Sequence, residues 1–244
     1  MKRNQYINVP TVFTALNLFC GYWAIILTIR EHYVNAGWLI VIAAAFDALD
    51  GKIARASGQS SDFGLQMDSL ADLVSSGVAV SVLIYRFNLS SLGAIGLMLS
   101  FFPLVFSAFR LARYNLKSTI EGRKDGFSGL PAPMAAVMIV SMVLLMNKHQ
   151  DIQILARLLL VLIPLTSMLM ASNIAYEGFP RLTIKEKGKN LFKIIALVTA
   201  LTLVAFMPEY TLFGFMLIYI VSGPIFVLRT ILTRQENNSE EEIF

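Results

Sequence analysis

One cysteine, two histidines and a sparse set of charges define this chain first by what they rule out. Cys20 has no second thiol among the 244 residues, so neither a disulfide framework nor a thiolate metal centre is available. His32 and His149 fall far apart in polar stretches, and a histidine-based metal site is not expected from them. Charged residues make up 15% of the chain, against about a quarter in a soluble domain. No internal repeat is visible, and no polar stretch is long enough to form a soluble domain. The apolar run after Met1-Lys2-Arg3 lacks a small-x-small cleavage site and extends to Arg30, so it is expected to remain as a membrane span. The net charge of +4 comes from basic residues lying between apolar runs, which suits the headgroups of membrane lipids. Nucleic acid is not an expected partner.

Long apolar sequence is what the chain has in abundance: 56% of its residues are hydrophobic, in runs that recur almost end to end. Lipid admits only helices or closed barrels, because every backbone N–H and C=O must find its partner within the protein. These runs are too long and too continuous for barrel strands. The fold class is therefore all-α, a polytopic membrane bundle of about eight helices. The expected spans are about 12–29, 36–56, 63–85, 91–114, 129–147, 152–172, 190–207 and 211–232. With eight crossings and a cytoplasmic N-terminus, every lysine and arginine except Arg30, Arg86, Lys148 and Arg157 falls on the cytoplasmic side, as the positive-inside rule requires. Both termini are then cytoplasmic. Residues 1–244 read as a single membrane domain whose short acidic tail, 235–244, is expected to be disordered. Mid-span Pro103 and Pro164 are expected to kink their helices.

Four aspartates stand out against this background. Asp47 and Asp50 are spaced i, i+3 near the end of the second expected span; Asp68 and Asp72 are spaced i, i+4 near the start of the third. The short connection between the spans makes them antiparallel neighbours, so both pairs reach a similar depth near the cytoplasmic surface. A charged side chain at a bilayer centre costs about 2.5–3.5 kcal/mol even on the lenient insertion scale. Such residues mark a polar site with a partner. Four converging carboxylates repel one another unless cations intervene. Oxygen-only donors suit the hard ions Mg²⁺ or Mn²⁺. The cluster is large enough for two, an arrangement used for displacement at phosphorus. Gly51 and Ala54 let a flat ligand approach the backbone. Gly64 clears space one turn before Asp68, and Arg55 carries a planar fork suited to phosphate. A cation transporter is the competing class, but its carboxylates are expected nearer mid-membrane and matched in a second half.

The pattern Asp47-x-x-Asp50-Gly51-x-x-Ala54-Arg55, eight residues, then Gly64-x-x-x-Asp68-x-x-x-Asp72 resembles the signature of the CDP-alcohol phosphotransferase family at every position. The likeness continues through Leu16-Asn17-Leu18-Phe19-Cys20-Gly21, the segment 67–75, Phe109-Arg110-Leu111-Ala112-Arg113-Tyr114-Asn115 and Phe127-Ser128-Gly129-Leu130-Pro131-Ala132-Pro133. Within the family, the chain is most similar to membrane-integral members whose acceptor is serine. The resemblance implies transfer of the phosphatidyl group of CDP-diacylglycerol to the hydroxyl of L-serine, with release of CMP, by a homodimer. It also implies that Asp47, Asp50, Asp68 and Asp72 hold two divalent cations, Mg²⁺ or Mn²⁺, and that Asp72 is the general base.

Nucleotide and pyrophosphate contacts would fall to Gly51, Ala54, Arg55 and Gly64, joined by Thr14 and Asn17, which otherwise cap local backbone. Arg110 and Arg113, i, i+3 near the cytoplasmic end of the fourth span, are cationic candidates for the acceptor carboxylate or the lipid phosphate; the alternative is snorkelling at the interface. Arg123 and Lys124 in the next loop are further candidates, with a plain positive-inside loop as their alternative. Ser128 and Gly129 would offer backbone N–H groups to an anion. Inositol phosphate or glycerol phosphate as acceptor, and an ether lipid as donor, stay open.

Overall fold

A computed structural model describes residues 9–57, 62–120, 127–149, 153–176 and 207–241. The first helix, α1 (Val9–Ile29), ends because Glu31 takes a left-handed conformation (φ 66°). There the Glu31 N–H bonds Thr28 O and the His32 N–H bonds Leu27 O, a Schellman-type stop that uses a residue other than glycine. The chain turns straight into α2 (Tyr33–Ser57), and these two helices pack along their lengths.

The third rod is α3 (Asp62–Asp72), a π-helical stretch (Leu73–Val78) and α4 (Ala79–Phe87). Its wider pitch is visible where the Ala79 N–H reaches Val74 O, five residues back. After a 3₁₀ turn (Leu89–Leu92) come α5 (Gly93–Ile120), the two-residue strand β1 (Phe127–Ser128), α6 (Ala132–Lys148), α7 (Gln153–Ala171), β2 (Ala175–Tyr176) and α8 (Pro208–Glu241).

Among the described residues, six rods are long and apolar enough to cross a membrane: Pro10–Ile29, Tyr33–Ile53, Phe63–Phe87, Leu89–Leu116, Gln153–Ala171 and Pro208–Val227. The chain is thus a multi-pass helical membrane protein. The fifth expected span corresponds to α6, only 17 residues long, and the seventh, at 190–207, lies outside the described residues apart from Met207. Pro103 and Pro164 sit inside α5 and α7. The acidic end expected to be disordered is drawn into α8 as far as Glu241. Glutamate and glutamine are good helix formers, and extending an existing helix needs no new nucleus. Among the described residues, the strand pair β1–β2 departs from helix in a way the hydrophobic pattern did not foresee: Phe127 pairs with Tyr176 and Ser128 with Ala175, antiparallel. Two residues per strand leave no alternation to read.

α6 is the centre of the bundle. From Ala132 to Leu145 all its residues but Met134 are buried, as expected of a helix that is apolar on every side. Gly37 near the start of α2 packs against Val140 and Leu144 near the end of α6. At that same end Arg86 pairs with Glu31 and Lys148 with Glu209, each at 3.1 Å, and His149 contacts Tyr210. The four aspartates lie at the opposite end of α2 and α3.

With no hydrophobic force between helices in lipid, close packing must hold them together, and small residues permit it. A Cβ on Gly21 of α1 would lie 2.7 Å from Ser75 Cα in the π-helical stretch. Neither atom is on a flexible side-chain end, so one backbone would have to move. Gly21→Val is expected to lower stability by about 1–3 kcal/mol, read as a reduced melting temperature in detergent; a melting temperature equal to wild type would show that the contact is looser.

Candidate active site

Of the four aspartates expected to converge, three do so. Carboxylate oxygens of Asp47, Asp50 and Asp68 all lie within 4.8 Å of one another. Asp50 and Asp72 are buried, while Asp47 and Asp68 are half-buried. Two unit charges at such a separation repel by about 3–4 kcal/mol even at an effective dielectric near 20.

Helix α1 supplies part of the compensation. Thr14 Oγ1 donates to Asp50 Oδ2 at 2.9 Å, with the Pro10 carbonyl also nearby at 3.2 Å. One turn on, Asn17 Nδ2 donates to Asp72 Oδ1 at 2.9 Å. Asp68 Oδ1 is buried and has no hydrogen-bond partner. Three clustered carboxylates, one with an orphaned buried oxygen, and no soft donor among them fit a hard divalent cation. Asp72 is the last residue of α3 before the π-helical stretch and is not among the three that cluster. Gly51 and Gly64 are half-buried beside Asp50 and one turn before Asp68.

The two arginines of α5 separate. Arg110 is buried, its Nε–H has no acceptor, and its charge interacts with Asp72 and Asp47. Arg113 instead faces the end of α7: its guanidinium donates to the carbonyls of Ala171 (2.8 Å), Met170 (3.3 Å) and Ser172 (3.0 Å) and to Asn173 Oδ1 (3.4 Å). The last carbonyls of a helix lack intrahelical partners, and a cation there also meets the negative end of the dipole. Gly129 packs into the same corner with φ 86°, where a Cβ would sit 2.3 Å from Met170 O. Its own N–H donates to Ile174 O at 2.9 Å and is therefore committed to the protein.

A family model described as CDP-alcohol phosphatidyltransferase matches residues 7–172. The chain belongs to this family. A CDP-diacylglycerol–serine O-phosphatidyltransferase of Helicobacter pylori is 38% identical over 226 residues, covering 92% of this chain and 93% of the relative. A protein of the same name from Methanocaldococcus jannaschii is 33% identical, with coverage of 92% and 96%. An archaetidylserine synthase of Methanothermobacter thermautotrophicus is 36% identical over 142 residues, covering 57% of this chain and 59% of the relative.

Relative to the family signature, the structure brings Asp47, Asp50, Asp68, Asp72, Gly51 and Gly64 to one end of two helices and adds Thr14, Asn17 and Arg110. Ala54 and Arg55 lie on the last turns of α2, and Ser128 lies in β1 paired with Ala175. Arg123 and Lys124 lie outside the described residues. Three neighbours were not foreseen. Asn115 of α5 joins Ser69 and Gln66 of α3. Tyr219 of α8 interacts with the charge of Arg110. Tyr176 of β2 donates to Ile220 O at 3.2 Å and is locked over Gly223. Burial pushes the Tyr176 phenol up to about 12, so it remains a neutral donor. Only Asn115 lay in a stretch that carried the likeness; no spacing or periodicity ties residues 176 and 219 to α5.

Because Arg113 is engaged with α7, its loss takes a donor from part-buried carbonyls at that helix end. Arg113→Ala is therefore expected to lower the melting temperature in detergent. A rise in KM for the nucleotide-linked lipid with the melting temperature retained would make it a ligand instead.

Proposed function

We propose that the chain transfers the phosphatidyl group of CDP-diacylglycerol to the hydroxyl of L-serine and releases CMP. The observation that carries this reading is the convergence of Asp47, Asp50 and Asp68, supported by relatives of that name aligned over nearly the whole chain. Asp47, Asp50 and Asp68, with Asp72 beside them, would hold two divalent cations, Mg²⁺ or Mn²⁺. When bound, such ions neutralise the pyrophosphate and ease departure of the CMP phosphate.

The chain's own residues do the remaining work. Thr14 fixes the Asp50 carboxylate and Asn17 the Asp72 carboxylate, so neither has to reorganise during the reaction. Asp72, outside the tight group of three, takes the proton of the serine hydroxyl. The serine oxygen then forms its bond to the phosphatidyl phosphorus as the phosphorus–oxygen bond to CMP breaks. Arg110 supplies fixed positive charge next to Asp72 for an anionic group of the acceptor. Gly51 and Gly64, with Ala54 and Arg55, form the side that meets the nucleotide and pyrophosphate.

The reaction would face the cytoplasm, with both termini on that side and eight crossings. Helix α7 ends beside Arg113 near the aspartates, whereas α8 begins where Glu209 meets Lys148 at the opposite end. The family resemblance further suggests a homodimer.

Purified protein with CDP-diacylglycerol, Mn²⁺ or Mg²⁺ and a panel of acceptors tests the reading through CMP release. L-serine should support release, and inositol phosphate and glycerol phosphate should not. Release with either of those and none with serine would move the acceptor assignment. The archaeal relative named archaetidylserine synthase makes an ether-linked donor worth including in the panel. Metal flux into proteoliposomes without CMP release would favour a transporter. Asp72→Asn should abolish turnover while nucleotide-lipid binding persists. Thr14→Val should raise the Mn²⁺ concentration for half-maximal activity about 10- to 100-fold, the usual cost of losing a group that orients a ligand.

A further inference from the structure

Besides Asp68 Oδ1, two buried polar atoms among the described residues at the aspartate end lack hydrogen-bond partners, and they are of opposite kind. The first belongs to Asn17, which is 0% exposed. Its Nδ2 donates to Asp72 Oδ1, and a carboxylate only accepts, so that bond fixes the amide with nitrogen toward Asp72 and oxygen turned away. That oxygen, Asn17 Oδ1, is buried and receives no hydrogen bond. The second is the Nε–H of Arg110, a residue 7% exposed whose charge interacts with Asp72 and Asp47. Leaving such groups unmatched costs about 1–3 kcal/mol each. Asp72 links the two residues, through a hydrogen bond from Asn17 and through its charge interaction with Arg110.

We propose that these two atoms read the two charged ends of a zwitterionic acceptor: Asn17 Oδ1 accepts from its ammonium group and Arg110 binds its carboxylate, so that its hydroxyl is delivered to Asp72. This rests on the amino-acid acceptor reading above and deepens it. An ammonium group is welcome beside aspartates, whereas a carboxylate there needs a fixed cation, which Arg110 provides. A phosphorylated acceptor matches the pair less well, since a carbonyl oxygen offers nothing to phosphate oxygens. Asn17 thus serves the acceptor, a role different from the pyrophosphate contact its sequence position suggested.

The test compares CMP release with L-serine, ethanolamine, which lacks the carboxylate, and 3-hydroxypropanoate, which lacks the ammonium group. In the wild-type enzyme each analogue should fall below serine in kcat/KM by about 10- to 100-fold, the worth of one charge-assisted hydrogen bond. Asn17→Leu should erase the advantage of serine over 3-hydroxypropanoate and keep that over ethanolamine. Arg110→Gln should do the reverse. Ratios cancel any loss common to all acceptors, so a purely structural role would leave them at the wild-type values and overturn the proposal.

Should either variant be inactive, the wild-type enzyme still decides. L-alanine keeps both charged ends without the hydroxyl and should compete with serine, while ethylamine and propanoate should not; absence of competition by alanine overturns the proposal. A wild-type enzyme that releases CMP only with other acceptors sinks the serine reading itself. One that uses serine but shows unaltered ratios in both variants sinks this inference alone.

Discussion

Asp47, Asp50 and Asp68 bring like charge together within 4.8 Å at the ends of two helices, and the surrounding protein is arranged to keep that repulsion in place. Relaxation by moving apart is blocked. Helices α2 and α3 are both tied to α1, through Thr14 to Asp50 and through Asn17 to Asp72. The close approach of Gly21 to Ser75 then presses α1 against the rod that carries Asp68 and Asp72. Carboxylates held near one another before a ligand arrives are what a cation site needs, because the cost of bringing them together is met by folding rather than by binding.

The π-helical stretch Leu73–Val78 belongs to the same arrangement. It starts immediately after Asp72, and its Ser75, Ser76 and Gly77 are buried. Inserting one wider turn changes the direction in which the residues above it face, so the aspartate end and the apolar α4 end of a single rod can serve different neighbours. Such turns are often found at functional sites. On the other flank, Arg113, Gly129 and the strand pair β1–β2 fasten the end of α7 beside α5. Arg110, one helical turn away, is buried and keeps an unengaged donor.

Much of this was legible in the sequence. Intramembrane carboxylates at i, i+3 and i, i+4 on neighbouring helices can hardly avoid meeting, and their cost in lipid makes the pattern informative. The long apolar runs were equally readable, although α6 shows that a buried central helix can be shorter than a typical span. What the pattern could not reveal depends on pairs far apart in the chain. Thr14 and Asn17 share one face of α1, yet nothing in that spacing says which aspartate each will meet. Arg110 and Arg113 look alike in sequence; only the position of α7's last carbonyls separates them. The π-helical stretch has no composition of its own, since Leu-Val-Ser-Ser-Gly-Val fits an α-helix as well.

If the carboxylate cluster is a cation site by construction, it binds its ion before either substrate is present. Electron paramagnetic resonance of Mn²⁺ titrated into the purified, substrate-free protein measures this directly. Saturable Mn²⁺ binding by the wild-type chain, weakened strongly by Asp68→Asn, is the predicted result. No saturable binding, or binding that is the same in Asp68→Asn, would contradict it.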